Sequence, residues 1–181
     1  VEAVCALMAA HGLAWSDLQQ IAVEAYSGAL RIPNAPAPVT VVDAQYSIPY
    51  CIGLAALRGI DALMTLGPAD LGLPEAEALA RRVTVTVCPE FEAAFPGKTL
   101  TRVTLTTARV TVVSPVTAPS GEADARPGWD ARARKFRIAT DGRLTPSDQA
   151  RLLAALEAAR DGQLTALRAR LRARHAPPPP H

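Results

Sequence analysis

Hydrogen-bonding side chains crowd into one short stretch of this chain, Asp43-Ala44-Gln45-Tyr46-Ser47-Ile48-Pro49-Tyr50, at the head of an apolar run. Gln45, Tyr46, Ser47 and Tyr50 offer an amide, a hydroxyl and two phenols. Pro49 suits the first turn of a helix, where a missing N–H costs nothing, so the spacing predicts a helix from Tyr46 to Leu57, closed by Gly59 and buried on most sides. A helix start presents free N–H groups and the positive end of the dipole, which together bind carboxylate or phosphate. Ser47 and Tyr50, three apart, share a face. The chemistry on offer is anion binding beside a phenol. The alternative is plain N-capping, with the two aromatics packed into a core.

The other candidates are sparser. His11 is the one histidine inside the folded region, at a helix end where it favours the dipole or sits in solvent. A Ser–His–Asp triad requires it to find Ser47 or Ser114 across the fold. No His, Cys or carboxylate set has metal-ligand spacing, so no metal site is expected. Cys5, Cys51 and Cys88 are odd in number, far apart and set in apolar patterns, which argues against a disulfide framework and for a reducing cytoplasm. Arg168, Arg170, Arg172 and Arg174 look basic, but their spacing by two spreads charge around a helix. That helix reads either as a solvated terminus or as a surface for a polyanion or acidic partner.

The elements that must position these groups follow from periodicity. Val4, Leu7 and Met8 mark a helix over residues 1–11, ending near Gly12. Ser16 and Asp17 suit a short turn, and Ile21 to Tyr26 reads as a strand. Pro33, Pro36 and Pro38 exclude regular structure between them. Pro74 to Arg82 reads as a second compact helix, and Val83, Val85 and Val87 alternate with Thr84 and Thr86 as a half-buried strand. Thr101 to Val113 is one long strand or a tight hairpin, and 114–128 is a loop. Helices follow over Asp130 to Ala139, from the Thr145 cap and Pro146, and through Leu164, Leu167 and Leu171. Pro177 to Pro180 and His181 form a polyproline II stub. The order lacks a strand–helix–strand rhythm and any GxGxxG or P-loop motif. The fold expected is α+β, a small, mainly antiparallel sheet covered by helices.

Composition bounds the rest. The chain has 181 residues, 49% hydrophobic and 20% charged, enough apolar content for a core. Its net charge of +2 does not argue for nucleic acid, and only two of its cations, Lys98 and Lys135, are lysine. No stretch reaches the roughly 18 apolar residues of a spanning helix, and no signal-peptide pattern is visible. The expected compartment is the cytoplasm. The chain opens on Val1 already in a helical pattern, as a processed or partial chain does.

The run AQYSIPYCIGLAALRG resembles the signature of the MmgE/PrpD family, whose members include 2-methylcitrate dehydratase, cis-aconitate decarboxylase and iminodisuccinate epimerase. Ala44, Gln45, Tyr46, Ser47, Pro49, Tyr50 and Gly59 match it. Looser matches are Val1 to Leu13 with Leu18 to Val23, the Phe95-Pro96 turn, and the Lys135-Phe136 pair of a late helix. The resemblance spans about residues 1 to 160 as the family's C-terminal α+β lid domain, leaving 161–181 as an Arg-rich helix and Pro-rich tail. Where the family often has a Gly-Asp-Pro loop, this chain has Gly121-Glu122-Ala123-Asp124 and Pro127-Gly128-Trp129. Family members are longer, with a large helical domain and a Lys/His motif upstream of the point where this chain begins.

The resemblance implies chemistry at a carbon α to a carboxylate in a di- or tricarboxylic acid. Proton removal there needs a positioned base and donors for the developing enolate; dehydration, decarboxylation or epimerisation follows. It implies no metal or organic cofactor, and an oligomer built with a helical partner domain or subunit that brings most acid–base groups. In that setting Tyr50 is the catalytic phenol. Ser47, with neighbouring backbone N–H groups, binds a substrate carboxylate, and Gln45 and Tyr46 are further substrate-binding candidates. The competing readings are a non-catalytic remnant that binds an acidic metabolite or partner, and an Arg-tailed interaction module. The lid-domain reading expects an apolar patch left bare where the helical domain belongs, and the remnant a fully polar surface.

Overall fold

A computed structural model of the chain describes residues 1–122 and 125–174. The polyproline stub expected at 177–181 lies outside the described residues. The chain divides into two compact units, Val1–Arg126 and Pro127–His181.

The first unit is built on a four-stranded sheet of order β2-β1-β3-β4, with β1 Leu18–Ala25, β2 Val83–Val87, β3 Arg102–Thr107 and β4 Thr111–Val113. Alternation decides the register. Ile21 stands opposite both Val83 and Leu105, and Leu105 opposite Val112, so one apolar row crosses all four strands. Onto that row pack Val4 and Leu7 of helix α1 (Glu2–His11), Ile52 of α3 (Ile48–Arg58) and Leu79 of α4 (Pro74–Ala80), the last two following a short α2 (Val41–Gln45). Gly12, at φ 60°, ends α1 in the left-handed region and donates its N–H to the Met8 carbonyl. On β1 and β3, Glu24 faces Arg102, which donates from Nε at 2.6 Å and Nη2 at 2.8 Å.

The α+β class and the mainly antiparallel sheet hold: two of the three pairings are antiparallel, and β1 with β2 is the parallel pair that makes the sheet mixed. No repeated strand–helix–strand rhythm is expected from the sequence, and the parallel pair closes a single crossover unit. The chain between β1 and β2 carries α2, α3 and α4, long enough for the crossover that a parallel pair requires. Thr101 to Val113 resolves as the hairpin β3–β4. A further short helix, α5 (Pro89–Ala94), precedes the Phe95-Pro96 turn, and Phe95 stacks on Tyr26 with ring centroids 4.3 Å apart.

The second unit holds α6 (Trp129–Ala139), α7 (Pro146–Arg160) and α8 (Thr165–Arg174). Thr145 caps α7 as its sequence implies, its Oγ1 accepting from the Asp148 N–H at 3.1 Å. Arg160 lies over the Trp129 ring, 5.1 Å from its centroid. Ala133, Leu153 and Ala155 are its buried apolar residues among those described.

Candidate functional site

The segment from Asp43 to Tyr50 does not start one helix, as its apolar pattern suggests; it joins two. Thr40 opens α2 with a reciprocal cap: its Oγ1 accepts from the Asp43 N–H and the Asp43 carboxylate accepts from the Thr40 N–H, both at 3.1 Å. The helix stops at Gln45. Tyr46 leaves the helical conformation, and Ser47 takes an extended backbone to cap α3. The Ser47 hydroxyl accepts from the Tyr50 N–H at 3.1 Å and donates to the Ala35 carbonyl at 2.6 Å.

Asn34 holds this corner from outside. Its backbone, at φ 51°, is left-handed, a conformation asparagine tolerates better than most residues. Its Nδ2 donates to the Ala29 carbonyl at 2.7 Å, its Oδ1 accepts from the Ile48 N–H at 3.0 Å, and its own N–H reaches the Tyr46 carbonyl at 3.1 Å. The anion-ready helix start is therefore filled from within the chain. Ile48 N–H is bound by Asn34, Pro49 has none, and Tyr50 N–H is bound by Ser47. Asn34 was not singled out in the sequence; its one signal is an asparagine lodged among prolines.

The four candidates separate by exposure. Ser47 and Tyr50 are fully buried, whereas Gln45 is exposed and Tyr46 is 53% exposed. Tyr50 packs with Ala44, Ala76 and Ala80 against Leu57, Leu66, Leu71 and Leu73. Its phenol donates to the Asp70 carbonyl, and burial pushes its pKa above the ordinary phenol value, so it stays a donor at neutral pH. Asp70 also takes Arg58 Nη1 at 2.6 Å on one carboxylate oxygen and the Gly67 N–H at 2.9 Å on the other. Arg58 and Asp70 lie well outside the 43–50 segment, and no local pattern links them to it.

Beside this corner the surface is apolar. Val39 is 84% exposed, and Val42, in α2, and Tyr46, at its end, are 60% and 53% exposed. Leu30, close by through the Asn34 bonds, is also exposed.

The remaining candidates do not converge. Ser114 is buried, its Oγ accepting from the Val103 N–H at 3.0 Å and donating to the Pro115 carbonyl at 2.8 Å. His11 is exposed and borders an open cleft of about 530 Å3 with Ser16, Asp17, Gln19 and Arg109. Neither Ser47 nor Ser114 bonds a histidine among the described residues. Cys5 and Cys51 are half-buried, Cys88 is buried, and all three thiols are free. Among the described residues no group of three His, Cys, Asp or Glu side chains is placed to hold a metal ion, and no helix is long and apolar enough to cross a membrane.

A family model described as the MmgE/PrpD C-terminal domain matches residues 1–176. No curated protein matches the chain.

Proposed function

The chain belongs to the MmgE/PrpD family as its C-terminal domain, and from that premise we propose that it is the lid half of an enzyme abstracting a proton α to a carboxylate of a di- or tricarboxylic acid. The family match over nearly the whole chain carries this reading. Dehydration, decarboxylation or epimerisation completes the reaction, and a helical domain or subunit supplies the base.

The bare apolar corner supports it. Val39, Val42 and Tyr46, in or within two residues of the short, well-capped α2, are exposed, and exposed apolar patches mark surfaces that another body covers. In this reading the helical half seats there. Gln45 and Tyr46 are the side chains at hand to meet substrate at the seam, and Ser47, with Asn34, fixes the turn that presents them. Tyr50 is the phenol that supplies a hydrogen bond or proton to the developing enolate.

Isolation of the chain from its native source with whatever binds it tests the reading. Recovery of a mainly helical polypeptide, and turnover of 2-methylcitrate or cis-aconitate by the pair but not by the 19.0 kDa chain alone, supports it. A pair that neither binds nor turns over any di- or tricarboxylate sinks it. The internal bonds of Ser47 and Tyr50 favour a second reading, a non-catalytic domain that binds an acidic metabolite or partner. In that case substitution of Tyr50 leaves turnover of any complete enzyme unchanged.

A further inference from the structure

Tyr50 is covered by the segment between α3 and α4. Gly59 at φ 86° and Gly72 at φ 66° stand at its two ends, both in the left-handed region and both with open space where a Cβ would go. Between them the chain makes two 3-10 turns, Ile60–Met64 and Pro68–Asp70. None of residues 60–73 is fully buried, and segments with few buried contacts and little regular hydrogen bonding open at low cost.

Asp70 hydrogen-bonds this segment to α3, beside the packing of Leu66 and Leu71 against the cluster around Tyr50. The Asp70 carbonyl accepts the Tyr50 phenol, and its carboxylate accepts Arg58 at 2.6 Å. Tyr50, Leu54 and Arg58 follow at four-residue steps, so one stripe of α3 presents both donors to Asp70. A guanidinium and a phenol, side by side and both donating, are what a carboxylate accepts from. Asp70 satisfies the phenol with its backbone carbonyl and the guanidinium with its carboxylate, and the two oxygens of one carboxylate can accept from both donors. An incoming carboxylate can therefore replace it without leaving a buried donor unpaired, the step that otherwise makes such an exchange costly.

We propose that residues 60–71 form a strap latched by Asp70, and that the Tyr50 phenol and Arg58 guanidinium beneath it are a carboxylate-binding pair, taken over by a polycarboxylate substrate as the strap lifts between Gly59 and Gly72. The inference rests on the carboxylic-acid reading above and adds to it a residue, Arg58, and a gate. Arg58 is partly exposed and meets the ligand first; Tyr50 becomes reachable only when Asp70 has left.

The test uses the 181-residue chain with citrate as the probe, binding followed by calorimetry and strap opening by amide hydrogen exchange over residues 60–73. Asparagine at position 70 keeps an acceptor for the Gly67 N–H but loses the charge that holds Arg58. Asp70→Asn is expected to speed strap exchange and to tighten citrate about tenfold, since a larger open fraction raises apparent affinity in proportion. Arg58→Gln is expected to speed exchange as well but to weaken citrate at least about tenfold. Melting temperatures near wild type show that both variants fold. Unchanged strap exchange in Asp70→Asn overturns the latch. Citrate affinity indifferent to Arg58→Gln, or no citrate binding by Asp70→Asn, overturns the carboxylate pair. Turnover by the assembled enzyme judges the carboxylic-acid reading separately, so the two can fail independently.

Discussion

Tyr50 is structural by its buried hydrogen bonds, and the catalytic role proposed for it is separable from that by measurement. Removing its hydroxyl deletes one buried hydrogen bond to the Asp70 carbonyl, a loss of about 1 kcal/mol in a urea titration. If the phenol also serves the enolate, Tyr50→Phe lowers kcat of the assembled enzyme by roughly one to three orders of magnitude, far beyond what that loss of stability accounts for. Wild-type turnover with the same stability loss makes the residue purely structural. Ser47 is a purer cap. Ser47→Ala frees the Tyr50 N–H and strands the Ala35 carbonyl, and is expected to cost about 1–3 kcal/mol, read from the shift in denaturation midpoint.

At the scale of elements, α3 and α4 meet unusually closely. A Cβ on Gly53 lies 2.3 Å from the Ala76 carbonyl oxygen, a backbone atom that cannot swing away. Gly53→Ala gains about 1 kcal/mol of helix propensity but forces the two helices apart, and overpacking of this kind costs about 1–3 kcal/mol. The net expected is destabilisation, with the Tyr50–Asp70 region loosened first in hydrogen exchange. An alanine substitution that stabilised the protein would mean that the contact is softer than the geometry implies. The break between α2 and α3 is a second lesson at this scale. Apolar periodicity runs on from Tyr46, yet the Ser47 cap, the Pro49 start and the Asn34 brace end one helix and begin another.

For the whole molecule, charge and core are unevenly shared. Residues 127–181 carry eleven Arg and Lys against five Asp and Glu, whereas residues 1–126 carry eight against twelve. The near-neutral total conceals this. The sheet unit owns the apolar row across four strands, while the helical unit buries Ala133, Leu153 and Ala155 among its described residues. Expressed alone, residues 1–126 are expected to melt cooperatively and residues 127–181 without a sharp transition by circular dichroism, because so small a unit lacks a core to sustain one. A sharp melt from the second fragment would contradict this. Acid should act mainly on the first unit. Arg102 holds the Glu24 carboxyl below the ordinary carboxylate range, and the Ser27 N–H and hydroxyl do the same for Glu92. A carboxyl lowered in the folded state stabilises above its unfolded pKa, and that contribution drains away as pH falls through the folded value. The melting temperature is therefore expected to drop below about pH 4, and less steeply for Glu24→Gln than for wild type.

What the sequence by itself determined was local. Alternating Val and Thr marked β2, Thr145-Pro146 marked the start of α7, Gly12 ended α1, and the run from Ala44 to Gly59 carried the family resemblance that the match over residues 1–176 shows. These signals are legible because each depends on side chains within a turn or two of one another. The parallel pairing of β1 with β2 was not legible, since either strand direction satisfies the same alternation and only the path through α2, α3 and α4 selects one. Nor was the division of the 43–50 segment into two exposed and two buried polar side chains. That was decided by Asn34, Ala35 and Asp70, residues 12 to 20 positions from the atoms they bind. A buried donor must find an acceptor wherever the fold brings one, and no pattern along the chain records where that will be.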